Sequence, residues 1–389
     1  MTKRALLVGC NYPGTTAALS GCVNDVTRMY NLLLEKYGFE EENIKLMTDT
    51  EDDNDMPTGA NIKTWLKKFI AESEEGDVLY LHFSGHGTQV PAESGDHEDD
   101  GLDEAICPTD LNILTDDDFR VLFKPLAPGV AFTFVSDSCH SGGLLDSEEV
   151  QIGVADDGEV GDETEHHEEE GESTGRELPE SASKNMSVEM LQELLAERTG
   201  HEVSAGTIRT TLYDMFGDDC SPTVKVFVNH IAQRLEDGVS EEEIIELYGE
   251  TGHLAVAFLK HKMEDEEVDN EEYFRSSHEL EGPVNRSGHA NAKPDPEDRL
   301  APSTGVLISG CQSNQTSADA NPTGDPADAY GALTHAIQTV VEEYGGNITN
   351  GELVNNVRKL LVKTGYTQRP CLYCSEEAVE MPFICEPVC

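Results

Sequence analysis

The sequence predicts an α/β protein, a mainly parallel sheet flanked by helices and interrupted by a long, partly helical insertion. Three observations carry that expectation. Short apolar runs of strand type alternate with amphipathic helical patterns over residues 1–150. The same alternation returns over residues 303–389. Between them, residues 151–302 turn acidic and Pro-rich, with only short helical patterns. The two flanks are therefore expected to complete one sheet around the insertion, giving a larger N-terminal region at 1–150, a linker at 151–302 and a smaller C-terminal region at 303–389.

Ala5 to Gly9 is a short apolar strand that ends at a Gly-Cys-Asn-Tyr-Pro-Gly turn. Val26, Met29, Tyr30, Leu33 and Tyr37 then fall at helical spacing, with Gly38 where a C-terminal cap belongs. Ile44 to Thr48 reads as a strand, and Ile62, Trp65, Leu66, Phe69 and Ile70 mark the next helix. Val78 to Phe83 and Ala131 to Val135 are two further β-rich runs. From Asp156 to Glu172 the chain is mostly Asp, Glu, Gly and His, a composition that buries too little apolar surface to order itself. Helices are expected over 186–198, 222–235, 240–247 and 254–263, followed by a second acidic linker. Gly305 to Ser309 is a buried-type strand, and two helical patterns follow it, one on Leu333, Ile337 and Val341 and one on Leu353, Val357 and Leu361.

The chain has 389 residues and a formal net charge of −51. Such acidity repels phosphate backbones and anionic lipid, which excludes nucleic-acid and membrane-surface roles, and it suits basic partners or hard cations. The apolar run after Arg4 is too short for a secretory leader, and no stretch approaches the roughly 20 apolar residues of a membrane span. A cytoplasmic or nuclear monomer is expected. Ten cysteines in this length do not make a disulfide scaffold. Cys371, Cys374, Cys385 and Cys389 have a spacing that zinc could use, but their strand-like context favours free thiols.

Two strands end in unusual strings. In the first, His86 stands between Gly85 and Gly87; in the second, Cys139 follows Ser136-Asp137-Ser138 and precedes His140-Ser141-Gly142-Gly143. Ligands in open parallel sheets gather beyond the carboxyl ends of strands. If these strands are neighbours, the imidazole can take the thiol proton and leave a nucleophilic thiolate. The N–H groups of Gly87 and Cys139 could then hold an oxyanion. Either motif alone is compatible with a structural role, and spacing by itself leaves a structural cysteine and a nucleophile both open.

The strings HFSGHGTQVP and SDSCHSGGLLD resemble the His and Cys signatures of the caspase–hemoglobinase clan in its metacaspase branch. The resemblance extends to GCNYPGTTAALSGCVNDV, DGLDEAICPTD, TDDDF and GVLISGCQSNQTSADA, and the long insertion marks the type II metacaspases. It implies a caspase-like fold and a cysteine endopeptidase that cleaves after Arg or Lys. It implies an acidic pocket formed by Cys22, Asp25, Ser84 and Asp137, where two carboxylates are reconciled by one guanidinium or ammonium. It implies calcium as cofactor, held by Asp100, Asp103, Asp116, Asp117 and Asp146. It further implies that the insertion acts as an intramolecular inhibitor and is self-cleaved, with Lys225 expected in the pocket and Arg209 or Arg234 as alternatives. The competing reading is a catalytically silent, calcium-responsive interaction protein, whose mark would be a lost dyad or pocket acid; none is lost. An asparagine-specific relative would ordinarily carry a secretory leader.

Overall fold

The computed structural model describes residues 1–50, 54–91, 102–141, 144, 150–152, 181–245, 253, 255–256, 259, 305–312 and 315–385. In chain order its strands are β1 (Lys3–Gly9), β2 (Ile44–Thr48), β3 (Val78–Ser84), β4 (Gly87–Pro91), β5 (Leu102–Ile106), β6 (Leu114–Thr115), β7 (Ala131–Asp137), β8 (Val150–Ile152), β9 (Ser181–Ser183), β10 (Gly305–Ser309), β11 (Ala318–Ala320), β12 (Tyr330–Gly331) and β13 (Cys371–Cys374). The helices are α1 (Cys22–Tyr37), α2 (Gly59–Ala71), α3 (Asp116–Phe123), α4 (Val188–Thr199), α5 (Ile208–Phe216), α6 (Pro222–Glu236), α7 (Ala332–Glu343), α8 (Asn350–Thr364) and α9 (Glu376–Val379).

A seven-stranded sheet runs in the order β2-β1-β3-β7-β10-β13-β8. The β2–β1, β1–β3, β3–β7 and β7–β10 pairs are parallel, and β13 and β8 close one edge antiparallel. The sheet is thus mainly parallel, as the strand–helix alternation predicts. Successive residues of a strand face opposite sides. Leu6, Val8, Leu79, Leu81 and Phe134 accordingly join one core with α2, α3 and the insertion helices. Ala5, Leu7, Tyr80 and Val135 join a second core with α1, α7 and α8.

The local signals that predict the helices also cap them. Gly38 ends α1 at φ 62°, a left-handed turn that favours glycine. Thr58 caps α2 by accepting from the Asn61 N–H, and Thr349 with Glu352 forms a capping box on α8. In the insertion, the expected helices at 186–198 and 222–235 appear as α4 and α6, and α5 lies between them. Strand β9, just ahead of α4, is not among the expectations. The acidic stretch from Asp156 to Glu172 and most of the helix expected at 254–263 lie outside the described residues. No helix among the described residues is long and apolar enough to cross a membrane.

The insertion helices are tied to the sheet side by polar anchors as well as by apolar packing. The Thr223 N–H and Oγ1 donate to Asp118 Oδ1 at 2.9 and 3.0 Å, and Asn112 Nδ2 donates to the Asp219 carbonyl at 2.6 Å. Arg209 of α5 forms a buried ion pair with Asp103 of β5 at 2.5 Å. Removing one partner of such a pair strands the other charge, at a cost of about 3–5 kcal/mol. Arg209→Ala is therefore expected to open α4–α6 well before the sheet, read as hydrogen exchange rising in 188–236 while β1, β3 and β7 stay protected. Unchanged exchange in that segment would show that the ion pair does not hold the insertion down.

Candidate functional site

Strands β3 and β7 are parallel neighbours, with Ser84 opposite Asp137 in register. Both unusual strings therefore leave the sheet at the same end. Their contact is a backbone one: a Cβ on Gly87 would lie 1.7 Å from the Cys139 carbonyl oxygen, so only glycine allows the approach. Tyr12 and His140, beside the site, hold φ of 49° and 47°, a left-handed backbone that costs non-glycine residues energy.

His86 is held from two sides. The Tyr12 hydroxyl accepts from the His86 backbone N–H at 2.9 Å, and the two rings stand 4.8 Å apart. Ring Nε2 lies 2.8 Å from the Ala17 carbonyl, and a carbonyl only accepts, so Nε2 carries the hydrogen. That leaves Nδ1 as the basic nitrogen. It makes no well-aligned hydrogen bond, and the Lys184 backbone nearby favours the protonated ring. Burial is the larger effect and pushes the imidazole below its ordinary value.

Cys139 has no exposure to solvent. Its sulfur accepts from the Ser317 N–H at 3.0 Å. The thiol is pushed below its ordinary value, first by a hydrogen bond from Cys311, then against burial by the Ser317 amide, Lys184 and Ser183. A strand-end thiol made more acidic, beside an imidazole nitrogen with no well-aligned hydrogen bond, has the electrostatic profile of a nucleophile and its base.

Beside this pair lies a wholly buried acidic pocket. Asp25, in the first turn of α1, accepts from Ser84 Oγ at 2.8 Å and from the Gly331 N–H at 2.9 Å. Asp137 Oδ2 accepts from the Thr334 N–H at 2.9 Å and its hydroxyl at 2.7 Å. Asp319 closes the far side, accepting from the Ser20 and Gly21 amides at 2.8 Å. Burial, and then repulsion from Asp137, push Asp25 above the ordinary carboxylate range.

The pocket is filled by Lys184. Its ammonium sits 3.1 Å from Asp137 Oδ1 and 3.6 Å from Asp25 Oδ2, and donates to Ser84 Oγ at 2.9 Å and the Asp137 carbonyl at 3.1 Å. Burial alone would lower this ammonium, but Asp137, Cys22, Asp25 and Asp319 outweigh it and raise it. The backbone around Lys184 lies in the cleft as an extended strand. β9 pairs antiparallel with β11, and the Lys184 N–H donates to the Ser317 carbonyl at 2.9 Å. The Lys184 carbonyl accepts from the Gly87 N–H at 3.0 Å, and the Met186 N–H donates to the Gly87 carbonyl at 2.9 Å. The Lys184–Asn185 peptide bond is thereby laid across Cys139 and His86. Of the two amides expected to face an oxyanion, Gly87 meets this carbonyl and Cys139 does not.

Cys22, Asp25, Ser84 and Asp137 are thus brought together around one cation. The cation is not Lys225, which the sequence reading put in the pocket. Lys225 stands on the first turn of α6 and pairs with Asp218. A helical lysine cannot enter a cleft that takes its occupant as a strand. Arg209 is held by Asp103, and Arg234 lies in the last turn of α6. Asp100 and Asp146 lie outside the described residues, Asp103 pairs with Arg209, and Asp117 pairs with Arg120. Among the described residues no three metal-capable side chains come together. The C-terminal cysteines Cys371 and Cys374 are buried free thiols.

Sequence reasoning missed Lys184, Ala17, Ser317, Asp319, Gly331 and Cys311. Ser317, Asp319 and Cys311 all lie in the string GVLISGCQSNQTSADA, so the resemblance marked the place without giving their roles.

Comparison with known proteins agrees with this geometry. Residues 3–148 match the family model described as metacaspase, peptidase C14 domain. The chain is 42% identical to Metacaspase-4 and 43% identical to Metacaspase-6 of Arabidopsis thaliana, in each case over 99% of this chain and 100% of the relative. It is also 42% identical to Metacaspase-1B of Aspergillus oryzae over 37% of this chain and 35% of that protein.

A Cβ on Gly331 would lie 2.2 Å from Lys184 Nζ and 2.3 Å from Asp137 Oδ2. Gly331→Ala is expected to expel the ammonium. A lost charge-assisted hydrogen bond is worth roughly 1.5–3 kcal/mol, which should speed cutting of the intact chain by added trypsin after Lys184 at least about tenfold. Trypsin resistance equal to that of the unaltered chain would mean that the pocket does not protect this bond.

Proposed function

The chain belongs to the metacaspase family of cysteine peptidases, in its type II branch, and we propose that it is a self-inhibited endopeptidase that cleaves proteins after Lys or Arg, with Cys139 as nucleophile and His86 as base. The observation that carries this reading is Lys184, seated as a substrate would be: ammonium among Asp25, Asp137 and Asp319, carbonyl on the Gly87 amide. In a substrate so bound, His86 Nδ1 takes the Cys139 proton and the thiolate attacks the carbonyl carbon. The Gly87 N–H holds the negative oxygen that develops. Imidazolium then protonates the departing amine, and water, deprotonated by the same nitrogen, releases the acyl group. The Ala17 carbonyl keeps the ring in the tautomer that both transfers need.

Two carboxylates in one dry pocket support a cationic side chain over a neutral asparagine or an acidic aspartate. Lys184, rather than Lys225, is the residue after which we propose self-cleavage. Calcium is proposed as cofactor on donor chemistry alone, since Asp100, Asp103, Asp116, Asp117 and Asp146 offer hard oxygens from separate stretches of the chain. Asp103 and Asp117 now hold arginines, so an ion bound there replaces Arg209 and Arg120 as their partner.

Mass spectrometry of the purified full-length chain, incubated with and without calcium, tests the reading. The unaltered chain should yield fragments that end at Lys184. Cys139→Ala and His86→Ala should yield none, Lys184→Gly should lose that cut, and Lys225→Gly should keep it. Self-cleavage by a folded Cys139→Ala chain, or a first cut after Lys225, would overturn the assignment. Specificity is tested separately on added peptides. Asp25→Asn should lower kcat/KM for Arg and Lys peptides at least about tenfold, as expected from a desolvated charged contact of roughly 1.5–3 kcal/mol. Unchanged kinetics in that variant would remove Asp25 from recognition.

A further inference from the structure

The proposed chemistry uses one thiol, yet the site contains two. β7 and β10 pair in parallel with Ser309 opposite Ser136, so the residues just past the strands run on side by side. The approach is close enough that a Cβ on Gly310 would lie 2.8 Å from the Ser138 carbonyl oxygen. Cys311 and Cys139 follow these two positions at once. The Cys311 side chain lies within hydrogen-bonding reach of Cys139 Sγ, and both thiols lie against Ser317. Both are buried, under the strand that carries Ser183 and Lys184.

The two sulfurs differ in character. Cys139 is the thiolate-prone member. Cys311 is pushed far above its ordinary value, first by the hydrogen bond that ties its proton to Cys139, then by burial and by the negative charge of Cys139. Its S–H has the Gln315 carbonyl as an alternative acceptor at 3.3 Å. Cys10, Cys22, Cys107, Cys220, Cys371 and Cys374 are all pushed upward, by burial first. A low-lying thiolate with a second thiol at its side is the arrangement in which an oxidised sulfur is captured as a disulfide before it oxidises further.

We propose that Cys139 and Cys311 form a modification site for peroxide oxidants, in which Cys311 is the resolving thiol that closes an intramolecular disulfide. In the first step the Cys139 thiolate attacks one oxygen of the hydroperoxide. An S–O bond forms, the O–O bond breaks, Cys139 loses two electrons to become a sulfenic acid, and the peroxide is reduced to water or an alcohol. In the second step the Cys311 sulfur attacks Cys139. The S–S bond forms, the S–O bond breaks, and hydroxide leaves with the Cys311 proton as water. The charge that held the Cys311 proton disappears in the first step, which readies it for the second. This pairing rests on reading Cys139 as the reactive thiol of the proposed enzyme, but its readout is a mass and needs no peptidase activity.

The test oxidises the full-length chain with hydrogen peroxide, raised until Cys139 no longer takes up iodoacetamide after denaturation. The products are then mapped by mass spectrometry without reduction. The expected product is one linked peptide pair containing Cys139 and Cys311, with a mass about 2 Da below the two thiols and reversed by dithiothreitol. In Cys311→Ser the same treatment should instead carry Cys139 to the sulfinic acid, about 32 Da heavier and not recovered by dithiothreitol. If Cys139 of the unaltered chain ends mainly as sulfinic or sulfonic acid, or if Cys311 is found linked to its other neighbour Cys371, the proposal fails. The unaltered chain alone decides the matter should the serine variant not fold.

Discussion

The site is organised around an electrostatic conflict, two and then three carboxylates gathered in one place that water does not reach. Asp25, Asp137 and Asp319 come from α1, the end of β7 and β11, three segments far apart in the chain. Like charges in a dry pocket repel strongly, and each group must be solvated by something other than water. The protein answers in two ways. It gives every acid amide or hydroxyl donors, from Gly331, Thr334, Ser84, Ser20 and Gly21. It then completes the pocket with a cation. Gly331 has no side chain because any atom there would take the place of the ammonium.

The rest of the site follows from how the sheet brings strands to a common edge. Parallel pairing of β3 with β7 fixes where the His86 and Cys139 strings emerge, and parallel pairing of β7 with β10 brings the loop that carries Ser317 and Cys311 beside them. β11, a few residues later, offers its free edge to β9. An extended occupant therefore gains strand pairing on one side and the Gly87 backbone on the other. The cleft selects for backbone conformation before it selects for side chain.

That selection explains what sequence could and could not disclose. The strands β1, β3, β7 and β10 are legible because parallel strands buried on both faces are near-continuous apolar runs. The Gly-His-Gly and Asp-Ser-Cys strings are legible because both stand at the ends of such runs. Asp25 is legible as a pocket acid only through resemblance, since one acid on an amphipathic helix is otherwise unremarked surface charge. Lys184 was not legible at all. It sits among small polar residues, Ser181-Ala182-Ser183, which pair as a strand only because β11 offers an edge. Lys225, by contrast, stands in a helix with Ser221 as its cap. A lysine next to acidic, non-helical sequence was the signal to weigh, because an extended segment can thread a cleft and a helix cannot. The carboxylate clusters were readable as chemistry but not as a site. Two of them, Asp103 on β5 and Asp117 on α3, are partnered here by arginines of α5 and α3, which sequence spacing does not disclose.

After β7 the chain adds β8 at the far edge of the sheet, passes through the insertion and returns as β10, which lies side by side with β7. The chain between Asp137 and Gly305 thus has its two ends joined by a strand pair, and a break in it removes none of the hydrogen bonds that join β7 to β10. What the break changes is entropy. A closed loop fixes the two strands near each other at a cost that grows only slowly with its length. Two separate pieces must instead be held by contact alone, with an effective concentration that falls to that of free diffusion whenever they part. Severing the insertion leaves the folded architecture unchanged and makes it concentration-dependent: one molecule becomes a pair whose lifetime is set by the β7–β10 seam and the cores on either side of it.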